Sequence, residues 1–308
     1  MKSMLEALRQ HYLIASAIVT GLLLTGCVRF EDGLDAYTKG DYAKALKQWQ
    51  KLSDFGDAAA RNHLGVMFDN GQGVVEDDVE AMRFFRMAAD AGYAPAFNNL
   101  GLMYQRGAGV LQDHRQAVDW FRKAVAAGHV DAMNNLAVMF DHGEGVPEND
   151  VEAVRLFRDA AARGSLEAQN NLGLMYERGA GVPQSDSQAA NWFKQAAERG
   201  HSEAQSNYGA MLDNGRGVAR NSQEAILWFT KAAHNGQVSA QLNLGLMYQS
   251  GRGGKLDLVE AYKWFNLAAS GGNEQAARLK ADLSSQLSAQ QLVDAQSRSL
   301  VEAVALQP

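Results

Sequence analysis

Apolar side chains recur along most of this chain at the spacing that gathers them on one face of a helix. Between residues 93 and 128, Ala96, Leu100, Met103 and Tyr104 predict one amphipathic helix, and Ala117, Trp120, Phe121 and Ala124 predict a second. Gly107 and Gly109 separate them, and Gly128 follows the second. Glycine accepts the left-handed backbone that closes a helix, so each marks an end. Asp113 stands where the second helix begins and Gln116 follows three residues later, the pattern of a capping box.

This unit of helix, glycine loop and helix returns every 36 residues. Met67, Met103, Met139, Met175, Met211 and Met247 keep the step, as do the glycine pairs from Gly71/Gly73 to Gly251/Gly253. Gly65, Gly101, Gly173, Gly209 and Gly245 mark a small position in the first helix, filled by Ala137 in the remaining unit. Doublets such as Phe84-Phe85, Trp120-Phe121 and Trp192-Phe193 mark the second helix, with Leu156-Phe157 as a variant. The residue before the second helix is Asp77, Asp113, Asn149, Ser185, Asn221 or Asp257, and the third after it is Glu80, Gln116, Glu152, Gln188, Glu224 or Glu260. Six units of fixed length predict a solenoid, because one helix pair cannot bury its apolar stripe alone and stacking makes a continuous core. The Met and aromatic stripes are read as that core and not as a cofactor site.

The phrase Ala-x-x-x-Leu-Gly-x-Met-Tyr, then Gly-x-Gly-Val, then Ala-x-x-Trp-Phe-x-x-Ala-Ala-x-x-Gly, resembles the Sel1-like repeat, a relative of the tetratricopeptide repeat, over residues 57–272. The resemblance implies an all-α fold, a right-handed α/α superhelical solenoid of six 36-residue helix pairs used for protein–protein contact. Residues 27–56 are expected to hold a short tether and an N-terminal capping helix pair turning at Lys39-Gly40-Asp41-Tyr42. Residues 273–308 are expected to hold a seventh first helix and a final helix, opened by a Ser288/Gln291 capping box, that covers the core of the last unit.

Residues 1–26 read as a secretory leader: Lys2 and Arg9 precede an uncharged run from Tyr12 to Leu24, shorter than the ~20 residues of a membrane-spanning helix. The run ends in Leu24-Thr25-Gly26-Cys27. That resembles the bacterial lipobox, which implies cleavage before Cys27 and acylation of that cysteine. Cys27 is the sole cysteine, so no internal disulfide is available and lipidation explains its place. Several acyl chains anchor stably where one does not. Val28 after the cysteine implies, by the same resemblance, the outer membrane, with the solenoid most readily facing the periplasm.

By resemblance to tetratricopeptide solenoids, the first helix of each pair lines a concave groove. The positions expected to face solvent there include Asn62, Asn98, Asn134 and Asn170, a ladder of amides able to hold a peptide backbone. Gln105, Arg106, Asp141, Glu177, Arg178 and Asp213 are expected to add a mixed-charge band, and Leu102, Leu242 and Leu246 an apolar one. The second amide of each doublet, as in Asn99 or Asn171, is expected to bond backbone in a neighbouring turn.

The formal charge is −6, and losing Lys2, Arg9 and Glu6 with the leader makes it one unit more negative. An acidic chain without a basic run points away from nucleic acid. No nucleophile motif is present, and Gly253-Gly254-Lys255 is followed by Leu256, so a phosphate loop is not formed. His129 and His201 share a repeat position and are read as helix-start residues. Cysteine-rich Sel1-like proteins have been linked to β-lactam chemistry, but this chain lacks their disulfide cysteines. The expectation is a non-catalytic scaffold, monomeric by itself, with no metal or cofactor, that recruits a protein or peptide. A surface-exposed binder of a host protein is an alternative, and a binder or hydrolase of peptidoglycan or carbohydrate a more distant one.

Overall fold

Glycine and short polar residues punctuate the chain at helix ends, and the residues between them form sixteen helices with no strand among the described residues. The structure is a computed structural model and describes residues 29–305; the predicted leader and Cys27 lie outside the described residues. Helices α1 (Phe30–Thr38) and α2 (Tyr42–Asp54) precede the repeats. The six pairs are α3 (Ala58–Asp69) and α4 (Asp78–Asp90), α5 (Ala94–Arg106) and α6 (His114–Ala126), α7 (Val130–His142) and α8 (Asp150–Ala162), α9 (Leu166–Arg178) and α10 (Asp186–Glu198), α11 (Ser202–Asn214) and α12 (Ser222–His234), and α13 (Val238–Ser250) and α14 (Leu258–Ser270). Helices α15 (Glu274–Ser284) and α16 (Ala289–Ala305) follow. No helix among the described residues is long and apolar enough to cross a membrane. The chain divides into two compact units, one holding the described residues to Ala132 with Gly143–Pro147, the other Met133–His142 with the residues from Glu148 onward. Each is an all-α stack of helix pairs, the solenoid arrangement.

Local chemistry sets the helix ends. Ahead of each second helix the short side chain accepts the N–H three residues on, as in Asp77 from Glu80 at 3.0 Å and Asn221 from Glu224 at 3.1 Å. The other half of the predicted box is replaced. The N–H of Asp113 donates to the Tyr104 carbonyl at 2.9 Å and that of Ser185 to the Tyr176 carbonyl at 2.9 Å, so the first helix of the pair satisfies the donor meant for the Glu or Gln side chain. The Ser288/Gln291 box is reciprocal: Gln291 N–H donates to Ser288 Oγ at 3.3 Å, and Ser288 N–H to Gln291 Oε1 at 3.0 Å. Gly107 adopts φ 76° and donates to the Met103 carbonyl at 2.9 Å, closing α5.

Packing within a pair rests on the second residue of the aromatic doublet against the small position of the first helix. Phe85, Phe121, Phe157, Phe193 and Phe265 are fully buried. A Cβ at Gly173 would lie 2.6 Å from Phe193 Cε1, so hydrogen alone fits there. Alanines such as Ala88 and Ala96 in the first unit, and Ala196 and Ala204 in the second, fill the approach between successive pairs. Burying each Phe, Leu or Met contributes about 1.5–3 kcal/mol, the main term holding each stack.

The flanks close the cores. In the first unit Trp49 is buried, with Phe30 stacked on one side at 5.8 Å and His63 at 4.6 Å between ring centroids. In the second unit α16 rests on α14 with Ala295 and Ser299 turned inward, but leaves Val293, Leu300, Val301 and Val304 exposed.

Candidate binding face of the first helices

The amide ladder exists, but it is turned inward. Asn62, Asn98 and Asn170 are 5%, 6% and 1% exposed, and Asn134 is half-buried, where solvent-facing side chains were expected. In the first unit Asn99 Nδ2 donates to Asn62 Oδ1 at 2.9 Å. In the second, Asn171 donates to Asn134 and Asn207 to Asn170, each at 2.9 Å. The second amide of a doublet therefore bonds the first amide of the preceding repeat, not a backbone group in a turn. The physical reason is that close-packed first helices bury these positions, and a buried carboxamide without a partner costs about 1–3 kcal/mol. Where Ser206 replaces the amide, its hydroxyl pairs with that of Ser239 at 3.3 Å.

The charges predicted to band a groove also belong to contacts between repeats. Arg106 bonds Asp69 in the first unit, and Arg178 Nη2 donates to Asp141 Oδ2 at 2.6 Å in the second. Arg216 Nη1 reaches Glu177 Oε1 at 2.7 Å, and Arg252 Nη1 reaches Asp213 Oδ2 at 2.9 Å. Each of these acids near a first-helix end thus meets an arginine from the following repeat. The arginine stands just before the glycine pair (Arg106, Arg178) or between the two glycines (Arg216, Arg252). Gln105 and Gln249 occupy the same position where the following segment supplies neither arginine. Asp213 is 5% exposed and also accepts from Ser222 Oγ at 2.7 Å. Burial pushes the Asp69 carboxyl upward, and Arg106 pulls it back.

What stays accessible on the first helices is a stripe at i, i+4, i+7 and i+11. On α9 it is Glu167, Asn171, Leu174 and Arg178; on α11 it is Glu203, Asn207, Ala210 and Asn214. Outer members are exposed and middle ones half-buried. A recess of about 60 Å³ opens here, lined by Glu177, Asn207, Ala210, Asn214 and Arg216 above Phe193 and Met211. In the first unit α5 presents Pro95, Asn99, Leu102 and Arg106 in the same register. The aliphatic member is Val66, Leu102, Val138, Leu174, Ala210 or Leu246 through the six repeats. Its 36-residue recurrence was the signal that could have found the stripe; Leu102 and Leu246 were its expected aliphatic members, beside Arg106 and Arg178.

The Sel1 repeat pattern matches residues 58–93, 94–129, 130–165, 166–201, 202–237 and 238–273. The chain belongs to the Sel1 repeat family. Proteins of this family generally serve as protein-interaction scaffolds. A Sel1 repeat protein from Oxalobacter formigenes is similar at 36% identity and a TM-score of 0.75, over 79% of this chain and 100% of that one. A protective antigen present in uropathogenic Escherichia coli strains is similar at 34% identity and a TM-score of 0.69, over 83% of this chain and 56% of that one, so the match spans little more than half that protein. The immunity protein PA5088 from Pseudomonas aeruginosa shares the fold at 19% identity and a TM-score of 0.52, over 70% of this chain and 82% of that one. A search of curated proteins found no match.

Within this Sel1 repeat chain the two histidines predicted to start helices do so. His129 Nδ1 accepts from Ala132 N–H at 3.3 Å and His201 Nδ1 from Ala204 N–H at 3.1 Å. Burial lowers the His129 pKa, consistent with a neutral ring whose Nδ1 is an acceptor. Among the described residues no three His, Cys, Asp or Glu side chains come together as a metal site requires. This face presents carboxamides, an aliphatic strip and charged edges.

Proposed function

We propose that this protein is a non-catalytic interaction scaffold, held at the outer membrane by lipid on Cys27 and facing the periplasm, that recruits a protein or peptide segment through the first-helix stripe. The observation that carries this reading is the α9–α11 face. The amides between repeats pair there, Asn171 with Asn134 and Asn207 with Asn170, yet Leu174, Ala210 and the half-buried Asn171 and Asn207 still meet solvent beside a recess. Each Asn gives one N–H to the ladder and has further hydrogen-bonding capacity, enough to hold a peptide backbone over an aliphatic strip. Glu167 and Glu203 at one edge favour a partner with cationic side chains on that side.

The anchor and the face are tested separately. Growth of the host with an alkyne-tagged palmitate should label the wild type and not Cys27→Ser, with the label in the outer-membrane fraction. Absence of label in the wild type would refute the anchor. Affinity capture from the same membranes should recover a partner with the wild type that is lost with Leu174→Asp and Ala210→Asp. Retention of that partner by both variants would refute the face.

A second reading, exposure to the exterior as a binder of a host protein, draws on the description of the Escherichia coli relative as a protective antigen. Protease added to intact cells separates the two: a protected chain supports the periplasmic reading, a digested one the exterior.

A further inference from the structure

Three second helices, α4, α8 and α14, carry at the same repeat positions an acidic and a basic residue paired three positions apart; on α4 and α14 the basic group also lies over an aromatic ring, and α14 already holds a helix. On α14, Lys263 Nζ lies 2.8 Å from Glu260 Oε2 and 4.3 Å from the Trp264 ring centroid. Helix α16 rests there with a face of small residues, Ala295, Ser299 and Ala303. Charges anchor it. Arg298 Nη1 donates to Glu260 Oε1 at 2.8 Å, while Glu302 meets Lys263 at 3.4 Å and His234 at 3.0 Å. A basic and an acidic residue four apart on α16 thus engage an acidic and a basic residue three apart on α14.

Five repeats earlier the motif stands on α4. Arg83 donates to both Glu80 oxygens at 2.5 and 2.8 Å, and its guanidinium lies 4.3 Å from the Phe84 ring centroid. The hydrogen bonds from Arg83 hold the Glu80 carboxyl below its ordinary range, so both charges persist at neutral pH. Leu267, beside α16, is buried, whereas its equivalent Met87 is only half-buried. A cleft of about 420 Å³ opens on this face, lined by Val79, Met82, Arg83, Arg86, Met87 and Val110. Val79 at its rim is 67% exposed.

We propose that this face of α4 is a docking seat for an amphipathic helix of a partner protein, one that carries a basic residue and, four positions on, an acidic residue on a face of small side chains. The basic residue meets Glu80 and the acidic one Arg83, as Arg298 and Glu302 meet Glu260 and Lys263. The small side chains let the helix approach, and its flanking aliphatic groups cover Val79, Met87 and Val110. This surface is distinct from the first-helix stripe and does not depend on it.

The probe is a blocked, fluorescent peptide with the sequence of residues 289–305, titrated by anisotropy into the full chain at low ionic strength. Saturable binding is expected. The variant carrying Glu80→Arg and Arg83→Glu retains an opposite-charge pair on α4, and circular dichroism checks its fold. It should bind at least tenfold more weakly. A peptide carrying Arg298→Glu and Glu302→Arg should recover binding to that variant and bind the wild type poorly. Three results would each overturn the proposal: no saturable binding to the wild type, binding indifferent to the α4 exchange, or loss that the exchanged peptide does not restore.

Discussion

Alanine in place of glycine at two equivalent positions should move stability in different directions. Gly173 and Gly209 both lie on first helices of the second unit, so one unfolding transition reports on both. In each case the change gains about 1 kcal/mol of helix propensity. The neighbours differ. At Gly173 the new Cβ would lie 2.6 Å from Phe193 Cε1 and 2.7 Å from Cδ1, and that ring is fully buried with nowhere to move. At Gly209 it would lie 3.1 Å from both Phe229 Cδ1 and Cε1, so a shift of a few tenths of an ångström relieves it. Overpacking of the first kind costs about 1–3 kcal/mol. Gly173→Ala should therefore lose up to about 2 kcal/mol net, and Gly209→Ala should be neutral or gain up to about 1 kcal/mol. Urea unfolding followed by circular dichroism measures both. Combining Gly173→Ala with Phe193→Leu should cost less than the two single changes summed, because the smaller side chain makes room for the methyl. Equal stability of the two alanine variants would refute the packing argument.

Other outcomes follow from the contacts between repeats. Arg252→Met leaves the 5% exposed Asp213 without its cation and should cost about 3–5 kcal/mol, whereas Arg278→Met should cost under about 1 kcal/mol because both it and its partner Glu274 are exposed; equal losses in urea unfolding would contradict the distinction. Asn170→Ala removes the acceptor of Asn207 and should cost about 1–3 kcal/mol, with much less lost when Asn207→Leu accompanies it. Burial lowers the pKa of His63 and of His129, so their folded values lie below the unfolded value of about 6.5. Their contribution is full above that value and is lost as pH falls through the folded values. His129→Asn keeps a helix-start acceptor without a titrating ring, so melting of the first unit should fall less between about pH 7 and pH 5 than in the wild type; an equal fall would exclude His129 as a source.

The helices and their repeat were legible because local chemistry sets them. Gly107 ends a helix, Asp113 begins one, and Phe121 recurs at helical spacing whatever lies beyond the repeat. What periodicity alone could not provide was the facing of residues at the border between core and solvent. Asn62 and Asn170 sit at that border, and the approach of the next first helix buries them. The contact was written in the sequence as a spacing of one repeat plus one residue, which also joins Asp69 to Arg106 and Asp141 to Arg178. Glu80 illustrates the opposite case. A local capping rule assigned its side chain to Asp77 N–H, but the Phe68 carbonyl of the preceding helix takes that donor, and Glu80 binds Arg83. Likewise, the pattern of α16 predicted a helix covering the last core, while its seating through Ala295, Ser299 and a set of ion pairs required the structure.

Recruitment through the first-helix stripe is the central claim, and site-specific photocrosslinking in the living host tests it most directly. A benzophenone amino acid would replace Leu102, Leu174 or Ala210 on the stripe, and Leu227, which is 63% exposed on a second helix, as the control. The account predicts an adduct of the same protein at the stripe positions and none at Leu227. An adduct at Leu227 with none on the stripe would contradict it.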